Sequence, residues 1–269
     1  MAPFRHENPS HAVAIRPVYE HNLEKEFAII RKVATSYRCI AIDTEFPGLV
    51  YRTVSHPRFL SPEQRYALVK ANVDSLKLIQ LGLTLSNMDN GDAMTWEFNF
   101  RGFNPITDAQ DPESVDFLKS NGMDFLKNYT EGVDQERFAE LLWSSGLLTK
   151  FNDKTWITFH GTYDLAFLIK TISHDGLPDT MRKFLYRVTC YFGFDVFDVK
   201  HLSKSCNGLY GSLENVAKIL KTERIAGHAH QAGSDSLLIS DVYNKMRQIF
   251  FKNGIEWRHA RILSGIQEL

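Results

Sequence analysis

The chain is 269 residues long, with a formal net charge of −1, 43% hydrophobic and 23% charged residues. That balance excludes a disordered or collagen-like chain, and it excludes a protein that grips nucleic acid chiefly by neutralising phosphates. No apolar run approaches the roughly 18 residues of a membrane span, and the opening MAPFRHENPSHAVAIRPVYE lacks the apolar centre of a secretory signal, so a soluble intracellular protein with no membrane contact is expected.

In chain order, residues 20 to 36 carry Leu23, Phe27, Ile30 and Val33 at helical spacing and lead into a strand at 39 to 43. Two further β-like runs, SLKLIQLGLTLS and AMTWEFNF, are joined by the turn-rich NMDNGD, which predicts three neighbouring antiparallel strands. From about 112 the pattern turns helical, in PESVDFLKSNG, DFLKNYTEG and DQERFAELLWSSGLL. TWITFHG then reads as a strand, TYDLAFLIKTIS and TMRKFLYRVTCYF as helices, and FDVFDVK as a last short strand. SLENVAKILKT and a long helix from about Ala232 to Lys252 close the chain. No repeat, linker or domain boundary interrupts the order, so a single α/β domain over 1–269 is expected: a mixed sheet flanked by helices, with a short flexible N-terminus at about 1–12.

Cys39, Cys190 and Cys206 are odd in number and lack C-x-x-C spacing, which argues against disulfides and against a thiolate zinc site and predicts buried small residues. The sequon Asn128-Tyr-Thr130 then reads as a chance match. Trp96, Trp143, Trp156 and Trp257 lie in different elements and read as core or partner contacts.

The chemistry is carried by acids. In CIAIDTEFPG, Asp43 and Glu45 project from one face of a strand end while Thr44 points away. An isolated D-x-E also serves as a turn cap beside a solvated Glu. Asp164 follows WITFHG in the first turn of the next helix, where backbone N–H groups favour an acid on their own account. Asp235 falls three residues before Leu238 on the core stripe Leu238, Val242, Met246 and Ile249, so it points inward, and no Lys or Arg lies one helical turn away. A shared metal ion would satisfy it. HAHQAGSD allows a His-rich metal patch through His228 and His230, or a solvated loop; His230, one turn before Asp235, also suits a proton acceptor. Oxygen acids match Mg²⁺ or Mn²⁺ better than zinc. Asp198 in FDVKHL reads as a strand-end cap.

Taken together, Asp43, Glu45, Asp164, His230 and Asp235 resemble the site set of the DEDDh superfamily of 3′-to-5′ exonucleases, which have an RNase H-like fold. DTEFPG, LIQLGLT, HGTYDLAFLIK, FDVKHL and HQAGSDSLL are more closely similar to the Caf-type deadenylases, the poly(A)-shortening subunits of the Ccr-Not complex, from about Ile15 to about Phe251. His160 before Gly161 departs from the serine expected there, and His228 adds a second histidine to the last motif.

The resemblance implies two divalent ions, Mg²⁺ or Mn²⁺, one held by Asp43, Glu45 and Asp235 and the other by Asp43 and Asp164. It implies His230 as the base that takes a proton from the attacking water, and release of 5′-AMP from mRNA poly(A) tails. Bound ions would reverse the local charge and let a nearly neutral protein hold RNA. Phe46 and Tyr163, beside the acids, are candidates to pack on the terminal nucleotide, with ordinary core packing as the rival reading. The implied partners are poly(A) RNA, the Not scaffold and the leucine-rich-repeat deadenylase subunit, with residence in cytoplasm and nucleus. The alternatives are a DEDDh exonuclease acting on other RNA or DNA 3′ ends, and a catalytically weak scaffold subunit.

Overall fold

A strand with apolar residues on both faces must lie inside a sheet that is covered on both sides. β2, Cys39–Glu45, is such a strand, and it takes the middle of a six-stranded mixed sheet. The other strands are β1 (Ile15–Val18), β3 (Gln80–Ser86), β4 (Ala93–Asn99), β5 (Thr155–Thr158) and β6 (Val196–Asp198), in the order β1-β4-β3-β2-β5-β6. β2, β3 and β4 form the expected antiparallel meander, while β5 and β6 run parallel to β2, and β1 runs parallel to β4. In this computed structural model, residues 14–54, 56–88, 91–148 and 154–268 are described. The expected flexible N-terminus lies outside the described residues.

The helices are α1 (Leu23–Val33), α2 (Pro62–Ser75), α3 (Pro112–Ser120), α4 (Phe125–Glu131), α5 (Gln135–Trp143), α6 (Thr162–Ser173), α7 (Met181–Phe192), α8 (Val199–Lys204), α9 (Leu213–Leu220) and α10 (Ala232–Phe250). Ile40 and Ile42 of β2 enter the large core shared with α1, α2, α5, α6 and α7, whereas Cys39 and Ala41 enter a second core with α9 and α10. This alternation places Asp43 and Glu45 on the α10 side and Thr44 on the α6 side. The arrangement is the RNase H-like α/β fold.

α10 lies directly on β3 because the facing side chains are small and polar. Across the ladder from Cys39, Ala41, Asp43 and Glu45, on the same face of the sheet, stand Ser86, Thr84, Gly82 and Gln80. A Cβ on Gly82 would sit 1.8 Å from the Ala232 carbonyl oxygen, so only glycine admits the helix at this height. Thr84 Oγ1 meets Ser236 Oγ at 2.9 Å, Ser240 Oγ donates to Ser86 Oγ at 2.7 Å, and Gln80 Oε1 accepts from the Ala232 N–H at 2.9 Å.

Several expectations change. Ile249 is 45% exposed, and Phe251 replaces it against the α9–α10 core. Cys39 and Cys206 are buried, but Cys190 is half-buried because α7 turns Val188 and Phe192 inward and leaves Cys190 on its flank. Trp96 and Trp156 are core residues, whereas Trp143 and Trp257 are exposed. Asn128 of the sequon is buried, with its amide donating to Met123 Sδ.

Candidate metal centre

The predicted acids come from three elements. β2 ends with Asp43 and Glu45, α6 opens with Asp164, and α10 opens with Asp235. Asp164 and Asp235 are buried, while Asp43 and Glu45 are half-buried. Burial pushes the Asp43 carboxyl well above its ordinary range, and the charges of Asp164, Glu45 and Asp235 push it further. Glu45 is pushed up to about 8 by burial, then by Asp235, Asp164 and Glu97. Asp164 is pushed up to about 7 by burial, against the hydrogen bond it accepts from Thr44 Oγ1 at 2.5 Å. Thr44, which alternation turns away from Asp43 and Glu45, thus holds the α6 acid from the opposite face of the sheet.

Asp235 has a cation after all. Arg224, from the segment before α10, brings Nη2 within 2.6 Å of Asp235 Oδ1, and it also binds Ser234 Oγ and Glu214 Oε1. Arg224 lies outside the one helical turn around Asp235 because it arrives from a segment that precedes the helix. Burial still raises the Asp235 carboxyl, opposed by Arg224 and by the His230 N–H that donates to Oδ2 at 2.9 Å. Asp235 Oδ1 is buried and has no aligned hydrogen-bond donor.

Glu45, His230 and Asp235 each offer a ligand atom within 4.8 Å of one another. Asp43 and Asp164 stand outside that grouping and couple to it through charge. His230 is exposed, adopts φ 62°, and sets its ring edge-on to Phe117 at 4.6 Å. His228 is also exposed but does not join the grouping; its N–H donates to Gln231 Oε1. Phe46 and Tyr163 stack on each other at 5.2 Å, Phe46 also packs on Phe167, and both keep part of their surface open.

Sequence reasoning missed Thr44, Arg224, Glu97 and Phe117. Glu97 accepts from the Gly233 N–H at the start of α10 and adds its charge to Glu45. Its alternation with buried Trp96 and Phe98 resembles an ordinary strand face, so the only available signal was its pairing with Gly82.

Asp198 caps α8 as expected, and does more. Its buried carboxylate accepts from the N–H groups of His160, Gly161, Lys200 and Ser264 at 2.8, 3.3, 3.0 and 2.9 Å. It thereby fixes the turn from β5 into α6, which carries Asp164.

The donor set fits divalent cations that prefer oxygen. The charges of Asp164, Glu45 and Asp235 raise Asp43, those of Asp235 and Asp164 raise Glu45, a buried carboxylate oxygen lacks an aligned donor, and an imidazole stands at ligand distance. A cation among them would relieve the repulsion.

Comparison with known proteins agrees with this reading. Residues 18–141 match the CAF1 family ribonuclease model. Probable CCR4-associated factor 1 homolog 7 of Arabidopsis thaliana is 41% identical over 264 residues, covering 95% of this chain and 94% of the relative. Poly(A) ribonuclease pop2 of Schizosaccharomyces pombe is 38% identical over 255 residues, covering 94% of this chain and 75% of the relative. The solved Mg²⁺- and Mn²⁺-bound form of S. pombe Pop2p matches with a TM-score of 0.86 at 38% identity, covering 93% of this chain and 99% of that one. Yeast CAF1, co-crystallized with the NOT1 MIF4G domain, matches at 0.76 and 31% identity, covering 96% and 99%. With fold and near full-length similarity in agreement, the chain belongs to the CAF1 ribonuclease family.

Proposed function

We propose that this chain is a divalent-metal-dependent 3′-to-5′ exoribonuclease that shortens mRNA poly(A) tails and releases 5′-AMP. The observation that carries the reading is the convergence of Asp43, Glu45, Asp164 and Asp235, four carboxyls from three elements at one end of the sheet, where the other three raise Asp43 and the charges of Asp164 and Asp235 raise Glu45. Bound Mg²⁺ or Mn²⁺ supplies the positive charge that neutralises the scissile phosphate and stabilises the attacking and leaving oxygens. Asp43, Glu45 and Asp235 would hold one ion, and Asp43 with Asp164 a second. Arg224 and the His230 N–H fix the Asp235 carboxylate, and Thr44 fixes that of Asp164.

The His230 imidazole, braced by Phe117 beside Glu45 and Asp235, takes the proton of the attacking water. Phe46 and Tyr163 are anchored in the core on one side, and their open edges would pack on the terminal nucleoside. Poly(A) RNA is the substrate that the pop2 relative supports, and a NOT1-type scaffold is the partner that the yeast CAF1 complex supports. The leucine-rich-repeat deadenylase subunit, and residence in cytoplasm and nucleus, go with that assignment.

Incubation with 5′-labelled, A-tailed RNA tests it. Shortening from the 3′ end with Mg²⁺ or Mn²⁺, abolished by EDTA and by Asp43→Ala, is expected. Equal trimming of DNA or of RNA without an A tail would move the assignment to a general DEDDh exonuclease, and shortening that survives both controls would overturn it.

A further inference from the structure

The metal acids grip only the end of a substrate, and a chain of net charge −1 provides no general phosphate field to hold the rest. The segment following β2 differs from the chain as a whole. PGLVYRTVSHPRFLSP, residues 47–62, contains Arg52, His56 and Arg58 and no acid. Tyr51 is 49% exposed and Phe59 70% exposed, and the Arg58 guanidinium lies 4.7 Å over the Phe59 ring. Open aromatic rings interleaved with arginines are the surface on which single-stranded bases stack while cations follow the backbone.

Both ends of the segment are tied to the acid cluster. The Val50 and Tyr51 N–H groups donate to Asn72 Oδ1 at 2.9 Å; the Asn72 side chain lies beside the Tyr163 hydroxyl and favours its ionised form, and the Tyr163 ring stacks on Phe46 next to Glu45. Arg52 pairs with Asp111 at 3.1 Å at the start of α3, and α3 carries Phe117 against His230. At the other end, the Leu60 carbonyl accepts from Arg65, which also binds the Ile266 carbonyl. Ser264, two residues earlier, accepts from Thr162 at the start of the helix that bears Asp164.

We propose that Tyr51, Arg52, Arg58 and Phe59 form the platform that holds single-stranded RNA upstream of the scissile end. This rests on the exoribonuclease reading above and adds to it the path of the RNA. The cations between the aromatic side chains favour a polyanion over an apolar protein partner.

The test compares wild type, the double variant Arg58→Ala/Phe59→Ala, and Arg137→Ala as a control on a remote surface ion pair. With Mg²⁺, the double variant is expected to raise KM for a long oligo(A) on the order of tenfold with kcat held within about twofold, and to affect the adenosine trinucleotide much less. The log–log salt dependence should become shallower by about 0.7 for the lost phosphate contact. Fluorescence anisotropy with a cleavage-resistant 3′-phosphorothioate oligo(A) reads the platform without turnover. Binding by the double variant equal to that of wild type overturns the platform, as does a parallel loss on trinucleotide and long substrate. Wild type that binds the resistant oligo(A) but does not shorten the unmodified one with Mg²⁺ overturns the exoribonuclease reading and leaves the platform standing.

Discussion

Asp43 faces Gly82 across the β2–β3 ladder, and Gly82 is where the α10 backbone comes down onto the sheet. The missing side chain at one position therefore sets the distance between the acids of β2 and Asp235. Gly82→Ala puts a Cβ against the Ala232 carbonyl, which has no side-chain rotamer to yield, so α10 must move out. A stability loss of about 1–3 kcal/mol is expected, with apparent Mn²⁺ affinity falling on the order of tenfold by calorimetry while the circular dichroism spectrum is kept. Unchanged metal affinity would mean that this approach does not position Asp235.

The raised carboxyls fix the sign of a pH effect on the metal-free protein. Glu45 at about 8 and Asp164 at about 7 hold protons that the unfolded chain gives up near pH 4. Their stability contribution is complete below that range and is lost as pH rises through about 7 to 8. With EDTA, Tm should fall between about pH 5 and about pH 8, and Glu45→Gln should flatten the fall. With Mn²⁺ the acids are ionised in the folded state, so binding releases protons and the stabilisation by metal grows with pH. A Tm that rises over this window in EDTA, unaltered by Glu45→Gln, would contradict the repulsion.

Periodicity made the apolar elements legible, and β2 to β4, α6 and α10 lie where the pattern put them. α2 escaped because its buried face includes Arg65 and Asn72 beside Tyr66, Val69 and Val73, so polar letters interrupt the stripe. Arg65 is buried because it binds carbonyls at Leu60 and Ile266, distant partners that no local window reveals. β1 is four residues with Pro17 inside, a composition that only an edge strand tolerates. Among the proposed site residues, Asp43 and Glu45 were marked by their spacing, Asp235 by its inward placement and Asp164 by its position beyond a strand end. Thr44, Arg224 and Phe117 were not, since each acts through a residue that is near it only in the fold.

Thr44→Val tests the bridge through the sheet. The substitution keeps the β-branched shape but removes the donor to Asp164 Oδ1, leaving a buried carboxylate oxygen short of a partner. A cost of about 1–3 kcal/mol follows. Because that hydrogen bond lowers the pH at which Asp164 ionises, its loss raises that pH, and the acid limb of the pH–activity profile should move upward. Thr44→Ser, which keeps the hydroxyl, should restore the limb. A profile that is the same in Thr44→Val and wild type would remove Thr44 from the set that orients the acids.

Asp198 provides the most severe test of the scaffold behind the site. Four backbone N–H groups from three separate segments converge on its two oxygens, and its side chain is fully buried. Asp198→Asn keeps the volume but replaces one acceptor oxygen with an amide that faces two donors. Each oxygen receives two of the four bonds, so neither orientation of the amide avoids the conflict. A loss of about 2–4 kcal/mol is expected, larger than for Asp43→Asn, which removes a repulsive charge and should raise the metal-free Tm. Because Gly161 and His160 lead into α6, loosening them also frees Asp164. Asp198→Asn should therefore weaken Mn²⁺ binding even at temperatures well below its own Tm. Were binding to stay at the wild-type value in folded Asp198→Asn, the turn between β5 and α6 would be fixed by something other than this carboxylate.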